Sequence, residues 1–117
     1  MTGNGTLYAA DGRKIYEGEW KNGLYHGRGT LYNLNPKQID NSYDIKIFNI
    51  EEKTWLKYEG DFVEEKWNGI GKLYFTNGDM FYGEFKNNML NGKGTFYKLE
   101  YTTLTGVWKE NCLVEIY

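Results

Sequence analysis

The feature that most restricts the fold of this chain is a glycine-centred motif that recurs at a fixed period. Tyr58–Phe62 reads YEGDF, and the motif returns as FYGEF in Phe81–Phe85 and, with less similarity, as LTGVW in Leu104–Trp108. The central glycines of these three copies are 23 residues apart: Gly60, Gly83 and Gly106. An earlier copy, Tyr16–Trp20, reads YEGEW. A constant period of this length indicates an array of small structural units that stack on one another.

A second glycine motif follows the first at a constant distance. Its first glycine lies 9 residues after the central glycine in each full copy: HGRGTLY at 26–32, NGIGKLY at 68–74 and NGKGTFY at 91–97. A further copy, GNGTLY at 3–8, has no first half before it. Each unit therefore consists of two short segments that are joined by a polar connection.

Each of these units is predicted to be an antiparallel β-hairpin. Apolar and polar residues alternate within the segments, so that Tyr16, Gly18 and Trp20 point to one side and Glu17 and Glu19 to the other. Connections such as Lys21-Asn22-Gly23 favour the positive φ angles of tight hairpin turns. Asp11-Gly12 and Asn77-Gly78-Asp79 are predicted to link one hairpin to the next.

The many glycines require a compensating interaction. Glycine within a strand costs about 0.5–1 kcal/mol relative to alanine. A buried aromatic ring removes about 150–250 Å² from water, which is worth several kcal/mol at about 25 cal/mol per Å². We therefore predict that the rings of each repeat cover glycines on neighbouring strands and that the hairpins stack to bury them. The glycines with this structural role are Gly18, Gly27, Gly29, Gly60, Gly69, Gly71, Gly83, Gly92, Gly94 and Gly106.

On these residues the sequence resembles the MORN repeat family. That family's pattern is Tyr-Glu-Gly-Glu-Trp, Lys-Asn-Gly and then His-Gly-x-Gly-Thr-Leu. Tyr16–Leu31 follows it almost letter for letter, and Tyr58–Leu73 and Phe81–Phe96 are close variants. The resemblance implies an all-β fold, an elongated single-layer antiparallel sheet of stacked β-hairpins. Two strands per repeat would advance such a sheet by about 10 Å, so four repeats would give a rod about 40 Å long.

The domain organisation is predicted as one array over residues 1–117. Its parts are a half repeat at 1–15, repeats at 16–32, 58–80 and 81–103, an insert at 33–57 and a degenerate terminal repeat at 104–117. Apolar and polar residues alternate along Tyr43–Ile50, so the insert is predicted to extend one hairpin into a protruding β-ribbon. The opening half repeat leaves a sheet edge that either further repeats or another chain would cover. The terminal repeat is predicted to be a capping repeat.

Composition argues against several classes of function. The net charge of −2 gives no electrostatic reason to expect nucleic acid as a partner. His26 and Cys112 are the only residues of their types, which excludes an intrachain disulfide and disfavours a metal site. Gly92–Thr95 lacks the spacing of a phosphate loop. We therefore expect a chain that is not an enzyme and has no cofactor, and, since no apolar leader opens it, a cytoplasmic location.

A candidate partner-binding surface is formed by aromatic residues of the repeats and two of their carboxylates. It comprises Tyr16, Glu17, Trp20, Tyr32, Tyr58, Glu59, Phe62, Tyr74, Tyr82, Phe85, Tyr97 and Trp108. Rings away from the positions that cover glycines have two interpretations, core packing or a groove that receives a peptide or helix; examples are Tyr32, Tyr74, Tyr82 and Tyr97. The acids at repeat spacing likewise fit either a solvated face or a polar binding stripe; they are Glu17, Glu19, Glu59, Asp61 and Glu84.

The leading functional hypothesis is a protein-interaction scaffold. It would bind a partner polypeptide or form a homodimer through a sheet edge, and the resemblance implies a place at the cell cortex or cytoskeleton. One alternative is a module that binds phospholipid at a membrane surface through recurring basic residues: Lys21, Arg28, Lys72, Lys86 and Lys93. A second alternative is the regulatory fragment of a larger enzyme, since MORN arrays occur beside lipid kinase and methyltransferase domains.

Overall fold

A computed structural model describes residues 2–37, 53–98 and 103–117 of the chain. These residues form nine strands: β1 (Gly3–Tyr8), β2 (Lys14–Lys21), β3 (Leu24–Tyr32), β4 (Trp55–Val63), β5 (Lys66–Phe75), β6 (Met80–Lys86), β7 (Met89–Tyr97), β8 (Thr103–Lys109) and β9 (Cys112–Ile116). Within this described part of the chain, no helix is long and apolar enough to cross a membrane.

The strands form one open antiparallel sheet in which each strand pairs with its neighbours in sequence, from β1 to β9. This arrangement confirms the predicted fold, a single sheet of successive hairpins. The longest dimension is 41 Å, against 27 and 22 Å for the other two. We call the side of the sheet that carries the buried rings the inner face and the opposite side the outer face.

A continuous line of glycines crosses the sheet at right angles to the strands. One glycine from each of the first eight strands is the backbone partner of the next: Gly5, Gly18, Gly29, Gly60, Gly71, Gly83, Gly94 and Gly106. Because these positions have no side chain, they form a trough along the inner face. We call this line the glycine ladder.

Rings from the adjacent row lie in this trough. Each ring belongs to the first residue of a repeat motif and covers the ladder glycine of the following strand. Tyr16 lies over Gly29, and a Cβ atom placed on Gly71 would be 2.5 Å from Cε2 of Tyr58. Phe81 lies over Gly94 in the same way. These contacts confirm, for Gly29, Gly71 and Gly94, the prediction that the rings of the repeats cover glycines on neighbouring strands. Carboxylates, and not rings, lie against three other predicted structural glycines, which are Gly27, Gly69 and Gly92.

In the three motifs after the first, the last ring packs across the boundary between hairpins. Phe62 meets the ring of Tyr16 edge-on at a centroid distance of 5.3 Å. Phe85 meets Tyr58 edge-on at 5.0 Å, and Trp108 meets Phe81 at 5.0 Å. Each hairpin therefore buries its rings against the preceding hairpin, which is how a single-layer sheet acquires a core.

A bulge interrupts each of the first three complete hairpins between the glycine ladder and the turn. In the second of these hairpins, Asp61 alone stands opposite Asn68, Gly69 and Ile70. The Asp61 carboxylate accepts a hydrogen bond from the Ile70 backbone N–H at 2.9 Å, which satisfies a donor that the interrupted ladder leaves unpaired. Gly69, with φ of 118°, lies against the same carboxylate.

The hairpin turns have two central residues with positive φ, the signature of type I′ turns. The four pairs are Asn22-Gly23, Glu64-Glu65, Asn87-Asn88 and Glu110-Asn111. In the last three turns, the N–H of the second residue also donates a hydrogen bond to the preceding hairpin. The Asn88 side chain accepts a hydrogen bond from the Trp67 N–H at 2.8 Å, while the Asn88 N–H donates to the Trp67 carbonyl at 3.1 Å.

The turn with two glutamates offers a stabilising substitution. Glu64 and Glu65 have φ of 49° and 68°. This conformation costs an ordinary L-residue about 1–2 kcal/mol, and Asn and Gly tolerate it better. Replacing Glu64-Glu65 by Asn-Gly should raise the free energy of unfolding by about 1–2 kcal/mol in urea titrations. The Glu64→Gln/Glu65→Gln variant makes the same change in charge but keeps the backbone strain at positive φ. An equal rise in the free energy of unfolding from this variant would contradict the explanation.

The β-ribbon predicted for the insert at 33–57 lies mostly outside the described residues. The two ends of the insert are joined by backbone hydrogen bonds. The Asn33 N–H donates to the Leu56 carbonyl at 2.9 Å, and the Lys37 N–H donates to the Lys53 carbonyl at 2.7 Å. The base of the insert therefore has its chain ends side by side, and the ribbon beyond it stays a prediction.

Candidate binding surface

The twelve residues of the predicted binding surface divide equally between the two faces. Six lie on the inner face: Tyr16, Trp20, Tyr58, Phe62, Phe85 and Trp108. All of these except Trp20 are at most 3% exposed, so they belong to the core. The other six lie on the outer face: Glu17, Tyr32, Glu59, Tyr74, Tyr82 and Tyr97. Contact with a partner across the outer face would involve this second group.

Two rows of side chains run across the outer face. The first, which we call the tyrosine row, consists of successive backbone partners from β3 to β7: Tyr32, Lys57, Tyr74, Met80 and Tyr97. The second, which we call the middle row, lies two residues nearer the hairpin turns of the repeats: Thr30, Glu59, Lys72, Tyr82 and Thr95. Sequence analysis had not identified Lys57 as a candidate, although it alternates with Tyr58 and so belongs to the outer face.

Both lysines in these rows approach tyrosine rings. Nζ of Lys57 lies 4.9 Å from the ring centroid of Tyr74. Nζ of Lys72 lies 5.9 Å from the ring centroid of Tyr82, its backbone partner. Within the described part of the chain, neither ammonium forms an ion pair. Cation–π contacts of this kind hold the charges near the surface and leave their outward side open to a partner.

A shallow groove of about 430 Å³ lies beside the middle row. Gly83 and Gly94 form part of its lining, and Tyr82 and Tyr117 contribute aromatic walls. Tyr82 is 44% exposed and Tyr117 is 63% exposed. Thr95 and Thr105, which also line the groove, are hydrogen-bonded to each other at 3.0 Å between their hydroxyl oxygens. The remaining lining residues are Ile70, Glu84 and Lys93, so the groove combines aromatic walls with one carboxylate and one ammonium.

The acidic residues at repeat spacing have mostly internal roles. Glu19, Asp61 and Glu84 each accept a hydrogen bond at a bulge from the backbone N–H nine residues later. Glu17 pairs with Lys14 at 3.1 Å. Among the described residues, Glu59 is thus the one of these five acids with neither an ion pair nor a hydrogen bond at a bulge. The acids therefore do not form one continuous stripe of free carboxylates.

The recurring basic residues are also separated from one another. Arg28 pairs with Asp61 at 3.0 Å. Lys21 and Lys86 lie at strand ends beside the hairpin turns, whereas Lys72 and Lys93 lie in different rows of the outer face. A single basic stripe, as the phospholipid hypothesis requires, is therefore broken by acidic neighbours. Among the residues that the structure describes, no group of three or more His, Cys, Asp or Glu side chains could hold a metal ion.

The buried tyrosines of the inner face are strongly perturbed acids. Burial raises the pKa of Tyr16 to about 12, and the nearby Glu19 carboxylate adds to the shift. Burial also raises the pKa of Tyr58 well above its ordinary value, with Asp61 as the second cause. Each hydroxyl donates a hydrogen bond to the backbone carbonyl three residues later, at 2.7 Å for Tyr16 and 2.8 Å for Tyr58. Both groups are therefore structural donors that the fold keeps protonated.

These shifts predict alkaline destabilisation. Because the folded pKa lies above the unfolded value of about 10, the stabilisation is complete below pH 10 and is lost as the pH rises through the folded pKa. Ionisation of Tyr16 alone should lower the free energy of unfolding by about 2 kcal/mol at pH 12. Urea titrations between pH 9 and pH 12 measure this loss. The Tyr16→Phe/Tyr58→Phe variant, which copies Phe81, should show a clearly flatter pH dependence, and an unchanged dependence would contradict the assignment.

Comparison with known proteins places these features in context. The signature of the MORN repeat matches residues 16–33, 58–80 and 81–98, about half of the chain. The chain is 35% identical over 92 residues to Alsin of Rattus norvegicus, which covers 79% of this chain and 5% of that protein. It is 31% identical over 88 residues to Alsin of Homo sapiens, covering 68% of this chain and 5% of that protein. The chain thus spans about 5% of the length of these curated relatives.

Proposed function

Because the chain belongs to the MORN repeat family, whose repeats are generally interaction modules, we propose that it is a non-catalytic scaffold that binds a partner polypeptide on its outer face. The observation that carries this proposal is the division of aromatic residues between the faces. The rings of the inner face pack in the core, whereas Tyr82 and Tyr97 are 44% and 40% exposed on the outer face. Exposed tyrosines suit interface anchors because they combine a large apolar body with a polar tip.

The groove beside Tyr82 supports the same proposal. Its volume of about 430 Å³ is within the range that accommodates small ligands or a few side chains. Tyr82 and Tyr117 form aromatic walls of the groove, and Glu84 and Lys93 add charged groups to its lining. The rest of the outer face is a flat surface along which an extended segment or a helix can lie.

The alternatives to a polypeptide partner on the outer face are phospholipid binding, a homodimer and a role in a larger enzyme. Phospholipid binding is the weaker alternative, since Arg28 is already paired with Asp61 and the basic residues occupy separate rows. A homodimer through a sheet edge is a further proposal that follows from strand pairing in general. A cytoplasmic place at the cell cortex or cytoskeleton, or a regulatory role in a larger enzyme, rests on the family resemblance alone.

The proposal can be tested by selecting peptides from a random library displayed on phage against the whole chain. Selected peptides should bind the unaltered chain and should bind the Tyr82→Ala variant at least about tenfold more weakly, a loss of about 1.4 kcal/mol. Tyr8→Ala is the matched control, because Tyr8 is also an exposed tyrosine but lies in β1, distant from the groove along the sheet order. The proposal would be overturned if both variants lost the same affinity for the peptides. It would also be overturned if the NMR chemical-shift changes that the peptides cause mapped to the inner face.

A further inference from the structure

The tyrosine row and the neighbouring part of the middle row form a surface that is rich in hydrogen-bond donors. Six donor side chains lie there: Tyr32, Lys57, Lys72, Tyr74, Tyr82 and Tyr97. Among the described residues, none of these six has a hydrogen-bond or ion-pair partner within the chain. In contrast, the hydroxyls of Tyr16 and Tyr58 on the inner face are both bonded to backbone carbonyls.

The carboxylates at the margin of this surface are already engaged, since Glu17 pairs with Lys14 and Glu84 accepts a hydrogen bond from the Lys93 N–H. Glu59 is the one carboxylate in the two rows as defined, and it is the backbone partner of Lys72. The Lys72 ammonium lies over the ring of Tyr82, and no ion pair joins it to Glu59 within the described chain. A ligand that supplies several acceptors and negative charge would complement this surface, even though the whole chain has a net charge of −2.

The positions of the two lysines define the spacing of that charge. Lys57 is the partner of Tyr74, and Lys72 precedes Tyr74 by two residues, so the lysines are diagonal neighbours on adjacent strands. Diagonal neighbours are about 7–8 Å apart. Side chains at positions i and i+2 of an extended peptide project from one side at a spacing of about 7 Å. Carboxylates at those two positions therefore match the spacing of the two lysine positions on the sheet.

We propose that the outer face binds an extended acidic segment of a partner protein, with carboxylates at alternate positions on Lys57 and Lys72 and the four tyrosine hydroxyls as further donors. The surface runs across β3 to β7, about 19 Å at the usual strand spacing, which corresponds to about six extended residues. This inference rests on the proposed function, because it specifies the chemistry of the polypeptide that the outer face takes. A protein segment fits better than a membrane, because the donors lie in adjacent rows of the sheet and the basic residues beyond those rows are interleaved with acids.

The probe is an acetylated decapeptide of alternating Asp and Val, and its affinity is measured by NMR titration of the whole chain. The Lys57→Gln/Lys72→Gln variant should bind it about tenfold more weakly, because two charge-assisted contacts are lost. The matched control is Lys86→Gln/Lys109→Gln, which changes net charge equally at exposed strand ends beside the turns and should leave affinity within about twofold. Glu59→Gln should tighten binding several-fold, since it removes the carboxylate that is the backbone partner of Lys72.

Specificity is tested by reversing the charges. The Lys57→Glu/Lys72→Glu variant should lose the Asp-Val peptide and gain a peptide of alternating Lys and Val. Equal weakening by the control variant, or equal binding of an Asn-Val peptide, would overturn the inference, because either result means that these lysines do not recognise carboxylates. Binding to vesicles of phosphatidylserine in phosphatidylcholine without binding to the acidic peptide would also overturn it. If library peptides still require Tyr82 while the acidic peptide fails, the proposed function survives and only this inference falls.

Discussion

Replacing Gly71 by Ala is expected to destabilise the chain by about 3 kcal/mol or more. A Cβ atom at this position would be 2.5 Å from Cε2 and 2.6 Å from Cζ of Tyr58, well inside van der Waals contact. The ring cannot turn away cheaply, because Tyr58 is fully buried and is stacked on Trp67 at 4.7 Å. Overpacking of a core typically costs about 1–3 kcal/mol, and displacement of the ring would add the loss of its burial. Urea unfolding followed by tryptophan fluorescence measures the change.

A double-mutant cycle separates the clash from any backbone effect. Gly71 does not have a positive φ, so alanine is compatible with its backbone. In the Tyr58→Ala background the ring is absent, and Gly71→Ala should then be neutral or stabilising by about 0.5–1 kcal/mol, since alanine loses less entropy than glycine in a strand. The coupling energy should therefore exceed about 3 kcal/mol. A Gly71→Ala cost that persists without the ring would show that the glycine is required for another reason.

The matched surface control for this cycle is Gly23→Ala. Gly23 has φ of 80° and no atom within 4 Å of an added Cβ. Its replacement should cost only the strain of the left-handed backbone, about 1–2 kcal/mol. The comparison distinguishes a glycine that is needed for its conformation from a glycine that is needed for the space above it.

The hairpins and the glycine ladder were predictable because the sequence repeats them. A fixed period places Gly60, Gly83 and Gly106 at equivalent points of successive hairpins, and alternation fixes which neighbours share a face. Once Tyr58 is assigned to the ring that covers Gly71, the inner face of the sheet follows. The predicted fold therefore depended on signals that are local and repeated, and the structure confirms it.

The binding surface was less predictable because both faces carry aromatic residues. Tyr16 and Tyr82 look alike in sequence, yet Tyr16 is fully buried and Tyr82 is 44% exposed. Their positions relative to the ladder glycine differ by one residue, which sends their side chains to opposite faces. The donor-rich part of the surface also includes Lys57, which belongs to no repeat motif and is the last residue of the insert, so the repeat pattern gave no signal for it.

The roles of the acids at the bulges were hidden for a different reason. Asp61 and Glu84 look like members of a solvated face, because they alternate with ladder and ring positions. A bulge is a property of two paired strands, and it becomes visible only when Asp61 is seen opposite Asn68 to Ile70. Nine residues separate each carboxylate from the residue whose N–H donates a hydrogen bond to it, and this constant separation was present in the sequence. Its meaning required the register of the hairpin.

Replacing Phe85 by Ala is expected to cost about 3–5 kcal/mol and to uncouple neighbouring hairpins. Phe85 is 3% exposed and meets the rings of Tyr58 and Trp67 in the preceding hairpin at 5.0 and 5.9 Å. In a stacked array, stability depends on contacts between nearest neighbours, so loss of this ring removes a large part of one interface. Hydrogen exchange should then show that the amides of β8 open well before those of β2 and β3, whereas the unaltered chain should protect them more evenly.

Tyr82→Ala is the control for this prediction, because Tyr82 lies in the same strand and also loses an aromatic ring. Its side chain is 44% exposed on the outer face, so its removal should cost less than about 1 kcal/mol and leave the exchange pattern unchanged. Phe85→Trp is a second variant, since Trp108 occupies the matching position of the last hairpin. It should retain the coupling at a cost of about 1–3 kcal/mol for the larger ring. If Tyr82→Ala separates the hairpins as strongly as Phe85→Ala, the interface does not depend on rings interlocked along the inner face.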